Sequence, residues 1–324
     1  MMEQTKEDIP WVSFCISTYK RPEFLKQQLI SLSQQTLPNF NVVICDNDPL
    51  ASAEGIVKEF SDKRFFYYHN TKNLGMILSF NRSIEKAVTP YIVMLTDDDH
   101  VDPEMLLEFK NVADKYPGYP AYLGCKRKHT LSKQIEIFDK ENYVFQLLDP
   151  DKTETILWSS CLLETETVKQ FGGIPDFGSP HFADHALLAL CGKHRGGVFT
   201  NNVYGSLASH DQNFSKSHFD LYYKGCIGFH DFVTSNFEIS FYKKGNTNAL
   251  EKHLYNWFLK NYFILSKYFT YKKPNRETLH DIHNFSEKIL ALSFMKSISP
   301  KFRVMQMLFH FKKPLFLIKY YRRS

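Results

Sequence analysis

The sequence predicts an α/β fold, with a mostly parallel sheet flanked by helices in the first part of the chain and a mainly helical C-terminal region after it. Three observations predict this. Apolar runs of strand length alternate with segments of helical periodicity four times between Val12 and Ala113. Three of those runs lead directly into polar turns. From about Tyr222 onward the apolar residues recur at helical spacing instead.

In order, Val12-Ser13-Phe14-Cys15-Ile16 alternates as a strand does and runs into the turn Ser17-Thr18-Tyr19-Lys20-Arg21-Pro22. Leu25, Leu29 and Leu32 mark one face of a first helix. Val42-Val43-Ile44-Cys45 is continuously apolar, the pattern of a strand buried on both faces, and it ends at Asp46-Asn47-Asp48-Pro49. Ala53, Ile56, Val57 and Phe60 mark a second helix, and Phe65–Tyr68 a third strand. After the turn Asn73-Leu74-Gly75, Met76, Phe80, Ile84 and Val88 recur every four residues on a third helix. Tyr91–Leu95 is a fourth strand that points into Thr96-Asp97-Asp98-Asp99. Pro103 then opens a helix with Met105, Leu106, Phe109, Val112 and Ala113 on one face.

Open parallel sheets bind ligands beyond the carboxyl ends of their strands. The turns at 17–22, 46–49 and 96–99 are therefore expected to converge on one site. After Tyr116 the pattern loosens into short mixed segments. Leu250, Leu254, Trp257 and Phe258, and later Ile282, Phe285, Ile289 and Leu292, carry helical spacing. These readings divide the chain into a domain over residues 8–215 and a helical region over 216–324.

Composition narrows the class. The chain of 324 residues carries a net charge of +5, with 29 Phe and 18 Tyr that fill a core or present rings to a ligand. The six cysteines lie far apart with no Cys-x-x-Cys pair, which argues against zinc and fits reduced thiols in a cytoplasmic setting. The N-terminus has no apolar leader, and no run approaches the roughly 20 apolar residues of a spanning helix. A soluble or peripheral protein is expected. Between Lys288 and Ser324 there are nine Lys or Arg and no Asp or Glu. Phe302–Arg323 mixes those cations with apolar residues and is interrupted at Pro314. It reads either as a segment lying on an anionic membrane surface or as a final core helix with a basic outer face. Nucleic acid is not among the expected partners.

Three consecutive aspartates after a buried strand repel one another unless a cation joins them, and hard carboxylate oxygens suit Mg²⁺ or Mn²⁺. The alternative is a solvated turn whose carboxylates cap the helix near Pro103. No Gly-x-Gly-x-x-Gly, Gly-Lys-Ser/Thr or Gly-x-Ser-x-Gly occurs where a dehydrogenase, a P-loop enzyme or an α/β-hydrolase would need it.

The ordered set of motifs resembles the family-two glycosyltransferases of the GT-A fold, which build bacterial polysaccharides. It comprises Val12–Pro22, Gln34-Gln35-Thr36-Leu37-Pro38-Asn39-Phe40, Ile44–Asn47, Asn73-Leu74-Gly75 with Asn81, and Leu95–Asp99. Phe171-Gly172-Gly173-Ile174-Pro175-Asp176, Asp184 and His210-Asp211-Gln212-Asn213-Phe214-Ser215 complete it. The resemblance implies an inverting, metal-dependent transfer of a sugar from a nucleoside diphosphate sugar, UDP being the expected nucleotide. The acceptor it implies is a hydroxyl of a glycan or lipid-linked glycan at the inner face of the cell membrane. Thr18, Tyr19 and Arg21 would contact the nucleotide, with Asn73, Gly75 and Asn81 also on the donor. Asp46 would accept from the base. Asp97 and Asp98 would meet ribose and metal, and Asp97, Asp98, Asp99 and His210 are the metal candidates, for Mn²⁺ or Mg²⁺. Asp184 would be the general base, set against a cap of the helix Ala186–Leu190. His210 could equally be a surface residue, and Trp158 either walls the acceptor cleft or belongs to the core. One departure stands out. Phe80 occupies a position where many members carry Arg, so a basic contact to the diphosphate is either missing or supplied by Arg82. Two rivals remain. A sugar nucleotidyltransferase would be expected to carry a Gly-rich first loop, which Ser17–Arg21 lacks. A non-catalytic sugar-binding member would have no need of the intact aspartates.

Overall fold

A computed structural model of the chain describes residues 9–125, 131, 133–153, 156–206, 219–238, 243–244, 247–272, 284, 287–292, 295–296, 300–304 and 307. The chain falls into two compact units. The first runs through Leu147 and from Asp151 to Ser209, and the second holds Leu148–Pro150 and the chain from His210.

The first unit opens with β1 (Val12–Thr18), α1 (Pro22–Ser33), β2 (Phe40–Asp46), α2 (Glu54–Phe60), β3 (Phe65–His69), α3 (Met76–Lys86) and β4 (Tyr91–Thr96). The short β5 (His100–Val101), α4 (Met105–Lys115), β6 (Ala121–Cys125), β7 (Ile135–Phe138), α5 (Lys140–Leu147) and α6 (Pro150–Thr153) follow. The unit continues through β8 (Ile156–Glu164), α7 (Thr165–Gln170), α8 (Ala183–Gly192), β9 (Gly197–Thr200) and β10 (Gly205–Ser206). Eight strands form one sheet in the order β3-β2-β1-β4-β8-β6-β9-β7. β1 lies parallel between β2 and β4, and β3 runs parallel to β2. β8 is antiparallel to both β4 and β6, β9 is parallel to β6, and β7 is antiparallel to β9. The α/β class read from the sequence is the one observed, and each of the four predicted strands extends a residue or two beyond its apolar run.

The two faces of β1 differ, and its alternation explains why. Val12, Phe14 and Ile16 are fully buried in one apolar cluster with Leu25, Leu29 and Leu32 of α1, Met105, Leu106 and Phe109 of α4, and Val93 and Leu95 of β4. Period-two alternation sends Ser13, Cys15 and Ser17 to the opposite face. There Ser13 Oγ lies 2.8 Å from Thr89 Oγ1, Cys15 Sγ donates to the Ser83 carbonyl at 3.6 Å, and Ser17 Oγ donates to Ser79 Oγ at 2.7 Å. The third helix is thus docked by hydrogen bonds of defined register. That fixes the turns on either side of it. All six cysteines are buried and free, and burial pushes the thiol pKa of Cys15 well up, so it stays protonated.

The second unit contains α9 (Phe219–Asn236), a hairpin of β11 (Lys243–Lys244) and β12 (Thr247–Asn248), and α10 (Ala249–Lys272). Phe229 meets Trp257 edge-on at 5.5 Å between ring centroids, and Tyr222 Oη donates to the Phe258 carbonyl. Phe302, where the basic tail begins, is fully buried against Tyr262 and Phe263, so that residue belongs to the helical unit's core. The tail beyond 307, and Ile282 and Phe285, lie outside the described residues. Among the described residues no helix is long and apolar enough to cross a membrane.

Phe14 packs edge-on to Phe40 with no exposure, whereas Leu78 on α3 is 52% exposed. Phe14→Ala is expected to lower unfolding free energy by about 3–5 kcal/mol. Leu78→Ala should change it by no more than about 0.5 kcal/mol. Denaturant midpoints of the two variants check the assignment, and equal losses would show that the core has been misplaced.

Candidate functional site

The carboxyl ends of β1, β2 and β4 lie side by side, and the strand pairing dictates it. Thr18 is level with Asp46, and Ser17 with Thr96. Since β8 runs antiparallel to β4, its first half brings Trp158 and Ser159 to the same end of the sheet.

The first turn and the acidic turn meet directly. Thr18 is buried and its Oγ1 donates to Asp97 Oδ2 at 2.8 Å. Arg21, at the entry to α1, lays its guanidinium across two aspartates. Nη2 and Nε (3.2 Å) grip the two oxygens of Asp97, and Nη1 donates to Asp98 Oδ2 at 2.9 Å. Asp97 has no exposure. Burial raises its pKa from 3.8 to about 6, opposed by the Arg21 charge and the Thr18 hydroxyl. Tyr19 is 40% exposed on the same turn, with the Lys20 ammonium 5.2 Å from its ring centroid.

Asp99 has a partner on β8. It is buried and accepts from Ser159 Oγ of β8 at 2.8 Å. Three adjacent carboxylates repel one another, and the fold separates them, giving two to a guanidinium and one to a hydroxyl. Among the described residues no three His, Cys, Asp or Glu side chains are grouped to hold a metal. What does fit one is the pair Asp97 and Asp98. Both present hard oxygens, and they already bracket a cation, the Arg21 guanidinium. Capping is not the role of this cluster, because α4 starts after Glu104 with no side-chain cap, and the local turn bond runs from Glu104 N–H to Asp102 Oδ1.

Asp46 is held from within the fold. It is fully buried, and its oxygens accept from Asp48 N–H, Ala53 N–H and Tyr67 Oη, each at 2.9 Å. Burial first, and then the Asp46 charge, raise the Tyr67 pKa, so this hydroxyl stays a donor. Asp46 therefore shapes the loop after β2 from inside. Its neighbour Asn47, which the sequence reading passed over, joins that loop to the turn before α3. Asn47 Nδ2 donates to Asn73 Oδ1 at 2.8 Å and to the Gly75 carbonyl at 3.3 Å, while its Oδ1 accepts from Leu74 N–H at 2.9 Å. Gly75 starts α3 at φ 81°, a backbone region that favours glycine.

Asn81 likewise holds backbone. Its amide exchanges both of its bonds with Ile174, Nδ2 to the carbonyl at 2.9 Å and Oδ1 from the N–H at 2.7 Å. Gly173 sits at φ 81°, and a Cβ there would lie 2.4 Å from Asn81 Oδ1. Asn81 thereby clamps α3 to the Gly172-Gly173 turn. Phe80 is buried and packs edge-on against Trp158 at 4.9 Å, which makes it an apolar wall on α3. Arg82 points elsewhere, to Asn70 Oδ1.

Asp184 is the second residue of α8, and the residue before the helix is Phe182 at φ 68°. Phe182 makes no side-chain cap bond, and Asp184 serves a first-turn N–H from within the helix. The Asp184 carboxylate accepts from His185 N–H at 2.8 Å and lies 3.0 Å from His185 Nδ1, with 36% of the side chain exposed. It also lies close enough to β8 to add, after burial, to the raised pKa of the Cys161 thiol. His210 and Asp211 fall outside the described residues.

With this geometry in place, comparison with known proteins identifies the stretch that carries it. Residues 13–149 match the family described as Glycosyl transferase family 2, a span that contains every strand-end turn described above. The chain carries a glycosyl transferase family 2 domain. The domain is similar to an uncharacterized glycosyltransferase of Methanocaldococcus jannaschii, at 37% identity over 103 residues, 31% of this chain and 36% of that protein. It is also similar to the abequosyltransferase RfbV of Salmonella typhimurium, at 30% identity over 148 residues, 41% of this chain and 44% of that protein. The matches thus span less than half the length of these curated relatives. In fold the chain resembles TarS 1–349 of S. aureus, with a TM-score of 0.60 at 14% identity, covering 96% of this chain and 89% of that one. It also resembles the mannosyltransferase PcManGT of Pyrobaculum calidifontis, with a TM-score of 0.54 at 14% identity, covering 92% and 87%. The family 2 domain therefore has the GT-A fold that the sequence motifs implied.

Because Asp46 satisfies three buried donors, Asp46→Ala is expected to destabilise the domain by on the order of 3 kcal/mol, through unsatisfied groups. Asp46→Asn should recover part of the loss. Thermal melts of the three proteins without ligand measure it. An unchanged melting temperature for the Ala variant would show that the carboxylate is not structural.

Proposed function

We propose that this protein is an inverting glycosyltransferase. It would move a sugar from a nucleoside diphosphate sugar, with UDP as the nucleotide, to a hydroxyl of a glycan or lipid-linked glycan in cell-surface polysaccharide synthesis. The observation that carries the proposal is the pairing of Thr18 and Arg21 with Asp97 and Asp98 at the carboxyl ends of β1 and β4. It joins cationic and acidic groups at the place where open α/β sheets bind ligands. The comparisons lend support. TarS was crystallised with UDP-GlcNAc, and PcManGT with GDP-Man and Mn²⁺.

In this reading Asp97 and Asp98 hold a divalent ion, Mn²⁺ or Mg²⁺, which would neutralise the departing diphosphate. Tyr19 offers an exposed ring beside the nucleotide, and Arg21 a bidentate donor to phosphate. The turn at Asn73–Gly75, braced by Asn47, would contact the donor as well. Phe80 and Trp158 form an apolar wall, so phosphate charge is met by Arg21 and the ion and not from α3.

The acceptor oxygen attacks the anomeric carbon, the bond from that carbon to the diphosphate oxygen breaks, and the acceptor proton passes to Asp184. A carboxylate at the start of α8, more than a third exposed, suits that task. The hydrogen bond between His185 and Asp184 fixes the carboxylate's rotamer. A cytoplasmic protein, peripheral on the inner membrane face, is the setting in which such an enzyme meets a lipid-linked acceptor. The basic tail supplies the attraction to anionic lipid.

UDP with Mn²⁺ is expected to raise the melting temperature, since a ligand specific to the native state stabilises it. Asp184→Asn should bind UDP as the parent does and turn over roughly a hundredfold more slowly. Failure of every nucleoside diphosphate to shift the melt would overturn the donor reading. Full turnover by the Asn variant would remove Asp184 from the chemistry.

A further inference from the structure

We infer that Arg21 is a built-in counter-cation, which keeps Asp97 and Asp98 closed to a free divalent ion and yields them when a nucleoside diphosphate offers its own anionic oxygens. The inference rests on the donor site proposed above and adds an order of binding to it.

The geometry is that of mutual exclusion. Three guanidinium nitrogens of Arg21 are spent on the two carboxylates, two on Asp97 and one on Asp98. A divalent ion of this type needs carboxylate oxygens at about 2.0–2.1 Å. Three of the four oxygens it could take, both of Asp97 and Oδ2 of Asp98, are ones Arg21 already holds. The remaining donor to Asp97, the Thr18 hydroxyl, is neutral and buried, so it can stay in place when the charge partner changes.

Charge explains why the exchange needs a third party. The Asp97 side chain is fully shielded and that of Asp98 is 8% exposed, so neither carboxylate can be left without a partner. A metal arriving alone would set Arg21 free but give its charge nothing to pair with. A diphosphate supplies that partner, because a planar guanidinium binds phosphate oxygens as it binds carboxylates. Arg21 is 27% exposed and sits at the junction of the first turn and α1, so its head can leave toward the open side. Its own ring contact, with the guanidinium carbon 5.4 Å from the Phe24 centroid, lies on α1 and does not tie it to the aspartates. Metal and nucleotide are therefore coupled through one side chain, and each raises the affinity for the other.

The test is Mn²⁺ binding to the full chain, read from the loss of the free-ion paramagnetic resonance signal, with and without UDP. In the parent protein Mn²⁺ alone should bind weakly, and UDP should strengthen it by about tenfold or more. In Arg21→Gln, Mn²⁺ alone should bind about tenfold or more tightly than in the parent, and the strengthening by UDP should shrink correspondingly. Arg21→Lys keeps the charge without the fork, protects against misfolding from bare carboxylates, and should fall between the two. Mn²⁺ affinity that is the same in all three proteins without UDP would overturn the inference. UDP binding is followed in parallel by thermal shift. If UDP binds while Arg21→Gln gains no metal affinity, Arg21 is no gate and the donor site stands. If UDP does not bind the parent protein at all, the donor site and the gate both fall.

Discussion

The ion pair between Arg21 and the two aspartates at the end of β4 is the interaction on which the rest of the site depends. Asp97 emerges from a strand whose core residues are fully buried, and it has no exposure of its own. A carboxylate in that position stays charged only beside a cation. The protein supplies one from the first turn, and in doing so draws the ends of β1 and β4 together with α1. The same electrostatic requirement makes the place suited to a metal and a diphosphate, because both enter by exchanging partners within a charge set that is already balanced.

Around this pair the fold supplies stiffness. The polar face of β1 fixes α3 through Ser13, Cys15 and Ser17, and Asn81 on the far side of α3 grips Ile174. Asp46 and Asn47 hold the loop after β2 and the turn before α3 as one structure. These groups organise the rim. A side chain without hydrogen-bonding groups at any of them would be felt as a displaced turn.

Much of this arrangement was legible in the sequence. The alternation of four strands with four helices followed from apolar spacing alone, and parallel pairing made the turns at 17–22 and 96–99 meet. The later strands escaped because their patterns are short or interrupted. β6 contains Gly124 at a register shift against β8, and β8 carries Ser159 and Ser160 in the middle of its apolar run. Pairing of β8 against β4 is long-range and antiparallel, and no local period records it. The contacts of Asp46 and Asn81 were not legible for a common reason. A carboxylate or amide at the end of an element looks the same in sequence whether it turns to a ligand or back to its own chain, and here both bond their own chain. Adjacency of Asp97, Asp98 and Asp99 likewise does not show that Ser159 bonds the third. The family 2 motifs at 17–22, 46–49 and 96–99 fall on turns that parallel pairing brings to one end of the sheet.

If Asp97 and Asp98 form the metal-facing end of a nucleotide site, Arg21 turns from them to the diphosphate when the site fills. A crystal structure with UDP and Mn²⁺, with anomalous scattering recorded at the manganese edge, is the sharpest test. One anomalous peak is expected touching both carboxylates, with the diphosphate beside it and the Arg21 guanidinium on phosphate oxygens. UDP bound with Arg21 still gripping Asp97, or bound away from the ends of β1 and β4, would contradict it.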